Sequence, residues 1–336
     1  MNILELEELH TSFAIAAGTV QAVRGVSLHV AEGEAVGIVG ESGSGKSVLM
    51  LSVMDLLPEN AAVRAKSIRF GGREIAGLSH QEMRKLHGKD IGMVFQDPMT
   101  SLNPLLTIGH QIMEPLRIHM GMHKQAARAR ALELLSLVEM PSPESRLKQY
   151  PHEFSGGMRQ RAMIAIAIAC NPRLVIADEP TTALDVTIQA QILDLLSHLR
   201  SKLGTSTILI THDLGVISSM CSRVIVLYGG MVAEEGALRE VFYEPRHPYT
   251  WGLLRSIPKR EGARRKLVPI AGSPPDMLLP PSGCAFAPRC PHAMPICLRM
   301  VPPATQLSPT HRVCCHLMHP KAPKVVRGEV SAWQNT

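Results

Sequence analysis

Residues 40–47 read GESGSGKS, with the apolar run EAVGIVG ending on Gly40 and the helix-like run VLMLSVMDLL following at 48–57. The spacing G-x-x-x-x-G-K-S is met in full, and strand, glycine turn and helix come in the order that phosphate binding requires. Gly40, Gly43 and Gly45 let the backbone curl so that successive N–H groups, including those of Glu41, Ser42 and Ser44, face an anion. The start of the helix adds positive potential. Lys46 is placed to neutralise β- and γ-phosphates, and Ser47 to ligate the magnesium ion that bridges them. A chain with this loop in this context binds a nucleoside triphosphate.

Such a loop calls for an apolar strand that ends in an acid. LVIADE at 174–179 supplies one, with Asp178 as the magnesium partner and Glu179 as the group that orients or deprotonates water. Alone, the DEP tripeptide would read as a solvated turn. Two adjacent acids at a buried strand end are costly unless a cation or a reaction employs them, and the loop at 40–47 provides that employment.

The bulk numbers narrow the class further. With 336 residues, 45% hydrophobic and 19% charged, the composition is that of a globular protein. The longest unbroken apolar stretch, AMIAIAIAC at 162–170, is about half of the roughly 20 residues a spanning helix needs, so it reads as a buried core helix. The first residues, MNILELEELH, have acids where a secretory signal has a basic region, which points to the cytosol. A net charge of +6 and the basic run KREGARRK at 259–266 raise nucleic acid or an anionic membrane surface as partners. A solvated basic linker explains that run equally well, and aromatics at 4% leave little stacking surface, so no nucleic acid is expected.

Along the chain there is no internal repeat. Residues 1 to about 95 suit strands with a short helix, 97–158 carry helical spacing, and 159 to about 235 alternate strand and helix as an α/β sheet does. After about 240 the composition turns to Pro, Cys and His. Of seven cysteines, Cys170 and Cys221 look like ordinary core thiols, whereas five fall between 284 and 315. Reducing conditions in the cytosol argue against disulfides there and for a metal or a cluster.

The stretch FSGGMRQR at 154–161 resembles the signature L-S-G-G-Q of the ATP-binding subunits of ABC transporters, with Phe154 for Leu and Met158 for Gln. Ser155, Gly156 and Gly157 retain the hydroxyl and the unhindered backbone N–H groups, and Gln160 follows two residues after Met158. The resemblance implies that these four residues act on the ATP of an opposing subunit. It implies further that Gln96 contacts magnesium and water, that Asp185 in ALD touches the opposing ATPase, and that His212 holds the γ-phosphate. Phe13 is the candidate for stacking on adenine, with Val20 or a neighbour as an alternative. In this family two ATPase domains dimerise head to tail, with Glu179, His212 and Lys46 the catalytic set here. The implied fold is a P-loop α/β ATPase with a RecA-like core, a helical signature subdomain, an N-terminal antiparallel β portion and a small Cys-rich C-terminal extension.

FQDPMTSLNPLLTIG at 95–109 and PRHPYTWGLLRSIP at 245–258 are similar to the peptide and nickel importer branch, specifically oligopeptide and dipeptide permease ATPases. GCAFAPRC, PIC and HRVCC match the branch's C-terminal cysteines, Cys284, Cys290, Cys297 and Cys315, at a spacing C-x5-C-x6-C-x17-C. Four thiolates suit zinc or an iron–sulfur cluster, and spacing alone does not separate them. The branch implies a [4Fe-4S] cluster, with zinc as the alternative and His292, His311 and His316 as outer groups. It also implies an ATPase domain at 1–240, an extension at 241–320 and a tail at 321–336. The implied partners are two transmembrane permease subunits, a second and similar ATPase chain, and an extracytoplasmic solute-binding protein. The chain would then sit peripherally on the cytoplasmic face of the membrane. Peptide is the implied cargo, with nickel or another small solute as alternatives. The reading from another class is a soluble ABC ATPase acting on nucleic acid.

Overall fold

A computed structural model describes residues 1–182, 184–256 and 269–325. The basic run at 259–266 and Ala183 of the ALD stretch lie outside them. The chain forms two compact units that interleave in sequence: one holds Met1–Leu4, Val30–Ala35 and Phe70–Ile210, the other Glu5–His29, Val36–Arg69 and the described part of Thr211–Thr336.

In the first unit, strand Leu174–Asp178 lies between two parallel neighbours, Ile91–Val94 and Ser206–Thr211, in the registers Ile91↔Leu174 and Leu174↔Ser206. All five of its residues are buried. This is why LVIAD is apolar without alternation: a parallel strand with covered faces has no solvent side. The following helix, Val186–Leu203, buries Ile192, Leu195, Leu196 and Leu199, a one-sided stripe at helical spacing.

The helical portion belongs to this unit. Helix Ile108–Met120 buries Ile108, Ile112 and Leu116 at four-residue intervals, starts at the Thr107 cap and stops at Gly121 with φ 63°. Helix Lys124–Leu137 buries Ala127, Ala131, Leu134 and Leu135. Both pack against helix Gly156–Ala167, which buries Gln160, Ala162, Met163, Ile164, Ala165 and Ala167 and so is covered around most of its circumference.

In the second unit, strand Ala35–Val39 runs parallel to Arg223–Tyr228, pairing Val36 with Arg223. Arg223–Tyr228 pairs antiparallel with Met231–Ala237, which pairs with Arg312–Cys314, which in turn pairs with Ala304–Gln306. The C-terminal extension is therefore stitched onto a sheet edge, with Val313 opposite Glu234 and fully buried. The N-terminal antiparallel portion is present as well, with His10–Phe13 paired to Ala61–Arg64.

Candidate functional site

The loop at 40–47 turns from strand Ala35–Val39 into helix Lys46–Val53. Gly45 caps that helix at φ 94°, and a Cβ there would stand 2.4 Å from the Ala22 carbonyl oxygen. A Cβ at Gly40 would stand 2.2 Å from the Leu227 oxygen, so no side chain fits at either position. The Gly230 N–H donates to the Ser44 carbonyl at 3.2 Å and ties the loop to the turn after Arg223–Tyr228. Lys46 is 5% exposed, and its Nζ donates to the carbonyls of Gly40 (2.8 Å) and Glu41 (3.0 Å). The ammonium is thus held over the loop. Ser44 Oγ is buried and has no protein partner among the described residues, the kind of orphan that a ligand oxygen satisfies. A helix start, a held ammonium and a buried hydroxyl without a protein partner suit a polyphosphate.

In the other unit, Asp178 ends its strand at 4% exposure. Glu179 follows at φ 45°, a left-handed conformation that costs a non-glycine residue energy and that clusters at functional positions. Sheet pairing holds it there, with the Glu179 N–H donating to the Ile210 carbonyl at 2.9 Å. Its Oε2 accepts from Thr182 Oγ1 at 2.9 Å and from Gln96 Nε2 at 3.4 Å. Gln96 and Glu179, far apart in sequence, are brought together, and Thr182 joins them. Thr182 was missed by motif reading, although its place three residues after Glu179 is visible in the sequence.

Ser155 caps helix Gly156–Ala167, its Oγ accepting from the Met158 N–H at 3.4 Å. Ser155 and Gly156 are exposed and border a groove with Gly157, Met158, Leu184 and Asp185. Gln160, one turn further along the same helix, is 2% exposed. Asp185 caps helix Val186–Leu203, its Oδ1 accepting from Thr187 (3.1 Å) and Ile188 (3.0 Å). His212 is exposed just past strand Ser206–Thr211. Phe13 is half-buried on its strand opposite Ala61.

The extension brings its thiols into one neighbourhood. Burial pushes the Cys290 thiol up to about 12, and Cys284 and Cys297 act in the same direction. Cys315 is raised first by burial and then by Cys284, Cys290 and Cys297 together. Backbone N–H groups of Phe286 and Ala287 serve Cys284, that of His292 serves Cys290 and that of Leu317 serves Cys315, each favouring the thiolate. The Met294 N–H reaches Cys297 Sγ at 3.4 Å. Among the described residues, no group of three or more His, Cys, Asp or Glu side chains is placed to hold a metal ion. The thiols are neighbours without converging on a single-ion site.

The profile of the family described as ABC transporter matches residues 23–182. The oligopeptide transport ATP-binding protein OppD of Bacillus subtilis (strain 168) is 53% identical over 325 residues, 96% of this chain and 91% of that protein. The chain belongs to the ATP-binding subunits of ABC transporters. Membership makes the chain an ATPase coupled to transport. The dipeptide transport ATP-binding protein DppD of the same organism is also 53% identical, covering 96% of this chain and 97% of its own. OppD of Salmonella typhimurium is 49% identical, covering 93% of each. A profile described as Oligopeptide/dipeptide transporter, C-terminal region, matches residues 233–297. Among solved structures, the dimeric ATP-binding cassette MJ0796 bound to ADP and Pi superposes with a TM-score of 0.63 at 32% identity, over 70% of this chain and 99% of that one. Among the described residues of this ABC ATPase, no helix is long and apolar enough to cross a membrane.

One feature of this ABC ATPase escaped motif reading. The Glu41 side chain, a candidate ATP contact, is occupied by Arg289 of the extension, and the Glu41 N–H donates to Tyr249 Oη at 2.8 Å. Nothing local in the sequence ties residue 41 to 249 or 289.

Proposed function

We propose that this ABC ATPase powers the import of peptides, oligopeptide or dipeptide, through two permease subunits at the cytoplasmic face of the cell membrane. The observation that carries this reading is the match of residues 233–297 to the C-terminal region particular to oligopeptide and dipeptide transporters. Relatives named for peptide transport at 53% identity support it. In this reading residues 1–240 form the ATPase domain, 241–320 the extension and 321–336 a tail. A second, similar ATPase chain and an extracytoplasmic solute-binding protein complete the system.

Lys46 and the N–H groups of the 40–47 loop other than that of Glu41, which Tyr249 Oη takes, hold the β- and γ-phosphates, and His212 contacts the γ-phosphate. Glu179, turned by its left-handed backbone and held by Thr182, orients and polarises the attacking water. Magnesium, held through Ser47, Gln96 and Asp178, would supply charge neutralisation at the transferring phosphoryl group. The Ser155–Gly157 segment, exposed at Ser155 and Gly156, offers N–H groups to the ATP of the facing ATPase, with Gln160 on the same helix, as a head-to-tail pair requires. Phe13 stacks on adenine, and Asp185 contacts the facing subunit while capping its own helix.

The four thiols of Cys284, Cys290, Cys297 and Cys315 fit an iron–sulfur cluster in donor type, burial and the N–H groups directed at sulfur. Such a [4Fe-4S] group would cross-link the extension; zinc, the alternative that four thiolates allow, needs a single-ion geometry that the described side chains do not form. The deciding experiment reconstitutes the chain with its permeases and second ATPase in vesicles and follows ATP-dependent uptake of labelled peptides. Uptake of nickel without peptide would overturn the cargo assignment, and copurification with nucleic acid in place of permeases would overturn the transporter reading.

A further inference from the structure

Glu41 lies inside the phosphate loop, yet a carboxylate there opposes the binding of a polyanion. The structure shows how that charge is managed. Arg289 meets Glu41 in a two-point ion pair, NH1 to Oε2 at 2.5 Å and NH2 to Oε1 at 3.0 Å. The remaining donors are also used: NH1 to Tyr228 Oη (3.1 Å), NH2 to the Ile270 carbonyl (3.1 Å) and Nε to the Ala271 carbonyl (2.9 Å). All five N–H donors of the guanidinium are thereby satisfied, and its side chain is 5% exposed. A bidentate, fully hydrogen-bonded pair of this kind is geometrically rigid.

Glu41 is fixed from three sides. Its carboxylate is held by Arg289, its N–H donates to Tyr249 Oη, and its carbonyl accepts from Lys46 Nζ. Tyr249 packs on Tyr228 and Phe286 with ring centroids 4.4 Å and 5.3 Å away, and Arg289 lies over both Tyr228 and Phe286. Phe286 and Arg289 both lie between Cys284 and Cys290 in the Cys-rich segment. The residue after Arg289 is one of the clustered thiols, so the conformation of the extension fixes where the guanidinium sits.

We propose that Arg289 is a positioning residue for the phosphate loop, acting through Glu41, so that an intact extension is required for full ATP affinity. This rests on the reading that residues 40–47 bind ATP. Arg289 does two things there: it neutralises the one acidic side chain in the loop, and it pins the backbone whose N–H groups receive the phosphates.

The test measures MgATP affinity of the full-length chain by calorimetric titration for the wild type, Arg289→Met, Arg289→Lys, and the pair Arg289→Met with Glu41→Gln. Arg289→Met leaves the carboxylate uncompensated, and affinity falls about tenfold or more, within the usual range of coupling between sites. Arg289→Lys keeps the charge but loses the fork, and falls between. Adding Glu41→Gln to Arg289→Met removes the stranded charge and restores part of the loss, which a purely structural role for Arg289 would not produce. If Arg289→Met does not fold, the Arg289→Lys deficit carries the test. Equal affinities for the wild type and both Arg289 variants overturn the proposal, as does a double variant no tighter than Arg289→Met. A wild type that binds no MgATP would overturn instead the reading of the loop.

Discussion

Gln96 Nε2 stands 3.4 Å from Glu179 Oε2, a contact that joins residues 83 positions apart at the ends of two adjacent parallel strands. Thr182 holds the same oxygen at 2.9 Å, so the carboxylate is aimed before any substrate arrives. Preorganisation of this kind is what a water-orienting base requires.

Replacing Glu179 with Gln keeps the shape and the Thr182 contact but removes the base. Hydrolysis is expected to fall by roughly 10²-fold or more, with MgATP affinity kept, as read from phosphate release and equilibrium titration. Unchanged turnover would refute the role given to Glu179.

Gly45→Ala places a methyl group 2.4 Å from the Ala22 carbonyl on a residue with φ 94°. Backbone strain of that type costs about 1–3 kcal/mol. The thermal midpoint is expected to drop and ATP binding to fall sharply, whereas Gly33→Ala, with φ 72° but open space around it, costs the backbone strain without the collision. Calorimetric scans of the two variants separate the two causes.

Burial lowers the pKa of His247 to about 4, with the Glu234 charge opposing, from an ordinary value of 6.5. Its neutral Nδ1 accepts the Tyr249 N–H at 3.0 Å and caps helix Pro248–Arg255. Between these two values the unfolded chain binds more protons than the native one. Stability therefore declines as pH falls from 6.5 toward 4, by on the order of 3 kcal/mol at most, and this contribution is flat above 6.5. His247→Asn retains a cap without a titrating group and should flatten the fall in thermal midpoint with acid; an unaltered pH profile would count against it.

Protein purified without oxygen is expected to contain iron and to absorb broadly in the visible region, and Cys290→Ser to lose both. Stoichiometric zinc with no iron in the wild type would remove the cluster assignment. Thiols that carry neither metal would leave the extension held by its sheet pairing, Val313 opposite Glu234, and by the buried His311–Glu234 contact at 2.8 Å.

Local motifs were legible because their physics is local. Gly40 and Gly45 are demanded by carbonyls that a curling loop brings close, and LVIAD is apolar because a covered parallel strand has no wet face. Some of the site had no local trace. Glu41 is separated by 208 residues from Tyr249 and by 248 from Arg289, and no periodicity or motif spans such distances. The sequence by itself determined an ABC ATPase with a cysteine-bearing extension, since those signals are written in residue type and short spacing. The tertiary structure alone decided that the extension reaches back to hold the phosphate loop, because a buried guanidinium is stable only where the fold gathers acceptors for all its donors.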